Sequence, residues 1–280
     1  TLNKAGTAGL AGWYISNVDV SPNASDATSG LASAQSRVDG GAWGAGQTIT
    51  VDGTHSAEAV AVDVAGNSIG IIDSINVDKT PPTISAGIPA ADGANGWHIN
   101  NFAASASGTE TTSGLASVLV QQDGGAWGNS VNVTVDGTHA LNFRSQDVAG
   151  NANTLGPVSV KLDKVAPTSS ITLTGTSGLA GWYVSNVAAN PSGADATSGI
   201  ASREVQVDGG AWTTGATITT DGTHAVNARS LDNAGLSATS STTAKIDKTL
   251  PTITGTIPAV DGLNGWLISP ATLSASGSDS

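Results

Sequence analysis

Apolar and polar residues alternate in short runs along this chain, with a period of two residues. Val131, Val133 and Val135 are separated by polar residues, and Leu141 and Phe143 alternate with polar residues in the next run. Such alternation puts successive side chains on opposite faces of a β-strand, so that one face is buried and the other meets solvent. No segment has the 3.6-residue apolar period of an amphipathic helix. The pattern therefore predicts short strands, with the three valines on one face of theirs.

Glycine-rich turns separate the alternating runs. Asp39-Gly40-Gly41 and Asp52-Gly53 have the residue types of hairpin turns, because glycine accepts the positive φ that such turns require. The same turns recur at Asp123, Asp136, Asp208 and Asp221. About seven short strands per repeat is the number found in immunoglobulin-like β-sandwiches, so the predicted fold class is all-β.

The whole pattern recurs along the chain, which indicates a tandem array. The segment VDKTPPT at 77–83 returns as LDKVAPT at 162–168 and as IDKTLPT at 246–252, at intervals of 85 and 84 residues. Proline restricts the backbone dihedrals of each of these joints, and no run of Gly or Ser is present that would make them flexible linkers. We therefore expect an extended rod of Ig-like repeats over 1–79, 80–164 and 165–248, followed over 249–280 by the first two strands of a fourth.

A second, longer period lies on top of the first. The segment GLAGWY at 9–14 returns letter for letter 169 residues later, at 178–183. Repeats 1 and 3 are therefore of one type (A) and repeats 2 and 4 of another (B). Alternation is expected if the repeats face different neighbours in a bundled fibre, and equally if a pair of repeats was duplicated recently.

Composition removes several classes of function. The net charge of −12 argues against nucleic acid as a partner, because phosphates require clustered lysine and arginine. Without cysteine the chain has neither disulfides nor a thiolate metal site. No apolar run reaches the length of a membrane-spanning helix, so no membrane insertion is expected in this segment, and any secretion signal would lie outside it. An acidic composition rich in Thr, Ser and Gly suits a bacterial cell surface.

The motifs as a set resemble a known family. The series DATSGLAS, DGGAW, VDGTH, DVAGN and VDKTPPT is similar to the bacterial immunoglobulin-like tandem repeats of large secreted adhesins and surface fibres, over essentially the whole chain. The resemblance implies a stalk or spacer role on the cell exterior, often with calcium at the joints. Repeat 3 departs from the pattern, because Asp232-Asn233-Ala234-Gly235-Leu236 stands where the other repeats have DVAGN.

Carboxylates are the only candidates for bound chemistry. In Ig-like topology the B–C and F–G loops lie at the end where the chain enters, so each joint aspartate should meet one acidic residue from each loop. The expected calcium ligands are Asp78, Glu110 and Asp147 at one junction and Asp163, Asp195 and Asp232 at the next, with Asp26, Asp63, Asp247 and Asp279 as their repeat equivalents. Converging carboxylates suit Ca²⁺, which takes six to eight oxygen ligands. The alternative is that each residue caps its own turn.

Histidine and tryptophan recur with the repeats, and their positions favour structural roles. His55, His139 and His224 have the parity of inward-facing residues and occupy the position of a corner tyrosine in related sandwiches. A catalytic histidine needs an activated partner, and the repeats offer none in sequence. The tryptophans beside Gly-rich turns suit packing better than a sugar-stacking platform.

The sequence thus predicts a structural protein and no enzyme. The leading hypothesis is a stalk or fibre segment of a bacterial surface protein, with neighbouring copies of the chain as partners in a filament. The alternative is an adhesion module that binds a glycan or a host protein through its loops, which carry function on such scaffolds. Calcium is the one cofactor that the sequence suggests.

Overall fold

A computed structural model of the chain describes residues 1–279, and Ser280, the last residue of the expected fourth repeat, lies outside them. The chain divides into two compact units. Unit 1 comprises Thr1–Asp92 and Gly96–Leu162, and unit 2 comprises Gly93–Asn95 and the chain from Asp163 onward. The repeat boundaries drawn through the joints therefore stay a prediction.

Unit 1 holds two sandwiches of seven strands each. Sandwich 1 is built from β1 (Leu2–Ala5), β2 (Trp13–Tyr14), β3 (Val18–Pro22), β4 (Leu31–Val38), β5 (Gln47–Ile49), β6 (Gly53–Asp63) and β7 (Ser68–Val77). Sandwich 2 is built from β8 (Ser85–Gly87), β9 (Trp97–His98), β10 (Phe102–Ser107), β11 (Leu115–Gln122), β12 (Ser130–Val133), β13 (Gly137–Asp147) and β14 (Ala152–Leu162).

Unit 2 repeats this arrangement once and adds a strand pair. Sandwich 3 is built from β15 (Ser170–Thr174), β16 (Trp182–Tyr183), β17 (Val187–Ser192), β18 (Ile200–Val207), β19 (Ala216–Ile218), β20 (Gly222–Asp232) and β21 (Ser237–Ile246). A 3₁₀ turn at Leu263–Gly265 then separates β22 (Thr252–Thr256) from β23 (Ser274–Ser278), and these two strands pair with each other.

The strand order is the same in the three sandwiches. A three-stranded sheet (β1-β3-β5, β8-β10-β12, β15-β17-β19) faces a four-stranded sheet (β2-β7-β6-β4, β9-β14-β13-β11, β16-β21-β20-β18). The neighbours are antiparallel except that the short second strand runs parallel to the last one. Seven strands in two sheets confirm the predicted Ig-like β-sandwich fold.

Each sandwich has its own core, formed by the inward residues of both sheets. In sandwich 2 the core contains Leu141 and Phe143 from β13 and Val133 from β12, all fully buried. Val135 departs from the predicted alternation: β12 ends at Val133, and Val135 lies in the following turn with 65% of its surface exposed. The carbonyl of Val135 accepts a hydrogen bond from His139, which fixes the turn outward.

The joint between sandwiches 1 and 2 is hydrogen-bonded on both sides within unit 1. Towards sandwich 1, Lys79 Nζ donates to the Thr50 carbonyl and Thr80 Oγ1 donates to Asp52. Towards sandwich 2, Thr83 N donates to the Thr109 carbonyl, and the Pro82 carbonyl accepts from Asn153. Hydrogen bonds therefore attach the joint to sandwich 1 and to sandwich 2.

Two carboxylate clusters as candidate metal centres

Two groups of three carboxylates are brought together, each inside one unit. In cluster 1 (unit 1) and cluster 2 (unit 2), one oxygen from each residue lies within 4.8 Å of the others: Asp78, Glu110 and Asp147, and Asp163, Asp195 and Asp232. In both, the joint aspartate and the aspartate ending the long strand are buried, while the loop residue is half-buried. These are the two sets that the sequence predicted to converge.

Local backbone geometry places the residues of cluster 1. Asp78 follows β7, and its backbone N–H donates to the Tyr14 carbonyl. Its Oδ2 accepts from Ser113 N at 3.2 Å, which ties the joint to the loop after β10. Glu110 Oε1 accepts from the backbone of the two threonines that follow it. Asp147 ends β13, and its Oδ1 accepts from Gly150 N and Asn151 N.

Cluster 2 is built in the same way in unit 2. Asp163 Oδ2 accepts from Ser198 N at 3.1 Å. Asp195 Oδ1 accepts from three successive backbone N–H groups at 197–199. Asp232 Oδ1 accepts from Leu236 N. The expected alternative, turn capping, is thus realised by the same carboxylates that converge.

One oxygen of cluster 2 has no donor in the part of the chain that the structure describes. Asp232 is 1% exposed, and its Oδ2 has no hydrogen-bond partner among residues 1–279. Burial raises the pKa of Asp232 above its ordinary 3.8, and the charges of Asp163 and Asp195 raise it further, against backbone hydrogen bonds from Leu236 and Gly235. A buried carboxylate oxygen without a donor is costly, so this site favours a positive charge.

The donor set fits a hard cation. Among the described residues, the ligand atoms that converge in both clusters are carboxylate oxygens, unlike the thiolate or imidazole sets typical of zinc. Carboxylate oxygens beside backbone carbonyls suit Ca²⁺, and the orphaned Asp232 Oδ2 is a ready ligand atom.

The four repeat-equivalent aspartates do not form such clusters in the described part of the chain. Asp26 caps its loop, and backbone hydrogen bonds from Ser29 and Gly30 lower its pKa. A hydrogen bond from the side chain of Asn67 likewise lowers the pKa of Asp63. Asp247 Oδ1 accepts from Thr249 N, and Asp279 belongs to neither three-carboxylate group. Their expected role as calcium ligands stays a prediction.

Each repeated histidine has an aspartate partner that the sequence interpretation missed. Nδ1 of His55, His139 and His224 lies 2.6, 2.6 and 2.7 Å from Asp39, Asp123 and Asp208. Nε2 faces a backbone carbonyl in each case, of Val51, Val135 and Thr220. Both ring nitrogens are therefore engaged at the corner. The constant separation of 16 residues was the signal in the sequence.

A second missed feature is an arginine over each hairpin tryptophan. The guanidinium carbon lies 4.6, 5.1 and 4.7 Å from the ring centroid in the pairs Arg37–Trp43, Arg144–Trp127 and Arg229–Trp212. The arginine comes from β4 in sandwich 1 but from β13 and β20 in the other two. The contact supports the expected packing role of these tryptophans.

Comparisons with known proteins give structural likeness only. No protein-family model matches the chain, and no curated protein matches its sequence. A solved structure of Clostridium thermocellum CbhA fibronectin(III)-like modules is 16% identical, with a TM-score of 0.33, covering 58% of this chain and 93% of that one. A tetra-tandem repeat in the extending region of a large adhesion protein is 16% identical, with a TM-score of 0.35, covering 93% of this chain and 77% of that one.

A third similar structure is a Ca²⁺-stabilized adhesin of an Antarctic bacterium that binds ice. It is 16% identical, with a TM-score of 0.31, covering 88% of this chain and 72% of that one. Two of these three structures come from adhesion proteins, the class that the motifs of this sequence resemble. Identities and scores this low assign no ligand and no activity to this chain. Among residues 1–279, no helix is long and apolar enough to cross a membrane.

Proposed function

We propose that this chain is a stalk segment of a bacterial cell-surface or secreted adhesin, in which repeated Ig-like sandwiches act as spacers. The observation that carries the proposal is the joint of unit 1, whose residues are hydrogen-bonded to the sandwich before it and to the sandwich after it. A spacer has to transmit position along its length, and a joint with few free dihedrals does so better than a flexible linker.

Small-angle scattering of the purified chain tests the stalk. A sandwich whose strands of about eight residues rise ~3.3 Å per residue should advance an extended chain by roughly 35–45 Å with its loops. We expect a maximum dimension of several such steps, and thin threads when the full-length protein is imaged by electron microscopy. A compact particle would refute the stalk, and laterally bundled threads would add self-assembly to it.

Calcium at the two clusters is the second part of the proposal. Asp78, Glu110 and Asp147 would hold one ion, and Asp163, Asp195 and Asp232 another. A bound cation would neutralise carboxylates that otherwise repel one another, and would tie each joint aspartate to the sandwich that follows it. Calorimetric titration of the chelator-treated chain with Ca²⁺ tests this directly, and an absence of binding heat would refute it.

A glycan-binding module is the second candidate, favoured by one groove in unit 2. The groove has a volume of about 350 Å³ and combines an aromatic ring with amide and hydroxyl side chains: Gln206, Trp212, Asn227, Thr239, Ser240 and Ser241. An aromatic ring beside polar groups is what sugar recognition needs. Glycan-array binding that is lost in Trp212→Ala and kept in Trp127→Ala would support this candidate; a blank array would dismiss it.

A further inference from the structure

The turn that follows the long strand differs between the two clusters at its second and fifth positions. In cluster 1 the turn reads Asp147-Val148-Ala149-Gly150-Asn151, and in cluster 2 it reads Asp232-Asn233-Ala234-Gly235-Leu236. The fifth residue of the turn is therefore an amide in one cluster and an apolar side chain in the other. The backbone is alike, since the first aspartate accepts from the N–H of the fifth residue in both.

Asn151 supplies two hydrogen bonds to cluster 1. Its Nδ2 donates to Asp147 Oδ2 at 2.9 Å and to the Asp78 carbonyl at 2.8 Å. Both partners are pure acceptors, so the NH₂ end of the amide must face them. The second oxygen of the buried Asp147 is therefore already satisfied by the chain itself.

Leu236 cannot make either bond, and cluster 2 is left short of one donor. Asp232 Oδ2 is buried and unpartnered within the described chain. Asn233, the amide of the same turn, donates to the Ser198 and Gly199 carbonyls instead. A buried acceptor without a donor is less stable than a satisfied one. The cation-free form of cluster 2 is accordingly the more strained of the two.

We infer that the residue at this turn position sets the calcium affinity of each cluster, with Leu236 giving the tighter site and Asn151 the weaker one. The inference rests on the proposed calcium function. Calcium affinity depends on the difference in free energy between the calcium-bound and the calcium-free state. The amide of Asn151 stabilises the calcium-free state of cluster 1. A cation at cluster 2 would bind an oxygen that is otherwise unsatisfied. Its binding free energy should therefore be more favourable there than at cluster 1. The two sites would fill at different calcium concentrations, so the joints would stiffen in two steps.

A reciprocal exchange in the full chain tests the inference. The wild-type chain, Asn151→Leu and Leu236→Asn are each titrated with CaCl₂ by calorimetry after chelator treatment, and the sites are assigned with Asp147→Asn and Asp232→Asn. We expect two classes of site in the wild type, the tighter being cluster 2. Leu236→Asn should weaken the tight class by about tenfold, and Asn151→Leu should tighten the weak class by a similar factor.

Melting in chelator gives a readout that is independent of bound metal. Without calcium, Leu236→Asn should melt at a higher temperature than the wild type and Asn151→Leu at a lower one. Asn153→Leu is the matched control, because Asn153 donates to the Pro82 carbonyl and not to a carboxylate. It should leave both affinities unchanged.

The outcomes separate this inference from the function on which it rests. Two sites of equal affinity, or affinities that do not follow the exchange, would overturn the inference and leave calcium binding intact. A weaker cluster 1 in Asn151→Leu would also overturn it, because the amide would then be aiding the cation. A wild-type chain that binds no calcium would overturn both.

Discussion

The three histidine corners place an imidazole ring between two acceptors. In each corner Nδ1 faces an aspartate and Nε2 faces a backbone carbonyl. A neutral imidazole has one donor and one acceptor nitrogen, whereas the imidazolium ion has two donors. The geometry therefore favours the protonated ring. In His224 the same arrangement is formed with Asp208 and the Thr220 carbonyl.

The pKa values of these three histidines are raised, as expected for rings whose surroundings favour the protonated form. Burial lowers the pKa of His55 and His139, but hydrogen bonds to aspartate and carbonyl oxygens outweigh it and raise each above the ordinary 6.5. The nearby charge of Asp52 adds to the rise at His55. At His224 the hydrogen bond to Asp208 is the largest cause and raises the pKa against burial. A raised folded-state pKa stabilises the fold fully below the unfolded pKa, and this contribution is lost as pH rises through the folded value.

We therefore expect the melting temperature to fall from about pH 6.5 upward as the corners lose their protons. Replacing all three corner histidines by glutamine should remove most of this slope, at a cost of about 1–3 kcal/mol per corner below pH 6. Differential scanning calorimetry between about pH 5.5 and 9 measures both effects, with His98 retained in both proteins. An unchanged slope in the triple variant would show that other groups cause it.

At the scale of elements, the loop before β2 contacts the turn after β13 inside unit 1. Leu10 N donates to the Ala149 carbonyl at 2.7 Å. A Cβ added at Gly9 would lie 2.3 Å from that carbonyl oxygen, which is far below any real contact. Because both groups are backbone, no side chain can rotate away to make room. This position needs glycine for close approach and not for a positive φ.

Gly9→Ala should loosen the contact between sandwiches 1 and 2 without unfolding either of them. We expect a broader distance distribution between spin labels placed on the two sandwiches, and little change in melting temperature. Gly178→Ala is the matched control, because Gly178 is the repeat equivalent and the nearest atom to its added Cβ would be a methyl carbon of Val184, at 2.9 Å, instead of a backbone oxygen. Equal distributions in Gly9→Ala and wild type would mean that the joint alone holds the two sandwiches.

Elements with a regular period could be predicted from the sequence, and contacts between non-equivalent positions could not. Alternation and the tandem repeat predicted the seven-stranded sandwich, and topology then brought the carboxylates of both clusters together. The arginine over each tryptophan was missed because Arg37 and Arg144 stand at different positions of their repeats. Val135 continues the alternating pattern in the sequence, but β12 ends two residues earlier, and the hydrogen bond between His139 and the Val135 carbonyl holds the residue in a turn. Periodicity does not record such local bonds.

At the scale of the whole molecule, the proposed stalk depends on what happens at the clusters. Three carboxylates within 4.8 Å of one another repel when all are ionised, and each group includes a joint aspartate. Repulsion would push Asp78 away from Glu110 and Asp147, and Asp163 away from its own partners. A divalent cation turns the same arrangement into an attraction. The chain should therefore have two mechanical states, selected by calcium.

The last expectation is that chelation both shortens and destabilises the chain. A cation bound only by the folded form raises stability by about 2.7 kcal/mol at a hundredfold excess over its Kd, so the melting temperature should drop when a chelator removes it. Small-angle scattering in calcium and in chelator should give a smaller maximum dimension in chelator, because mobile joints bend. Magnesium is the ionic control, since it demands a tighter octahedral geometry and keeps its waters. The double variant Asp147→Asn with Asp232→Asn should respond to neither treatment. If the wild-type chain has the same dimension and melting temperature in both buffers, the carboxylates act as turn caps, and the joints owe their stiffness to proline and backbone hydrogen bonds.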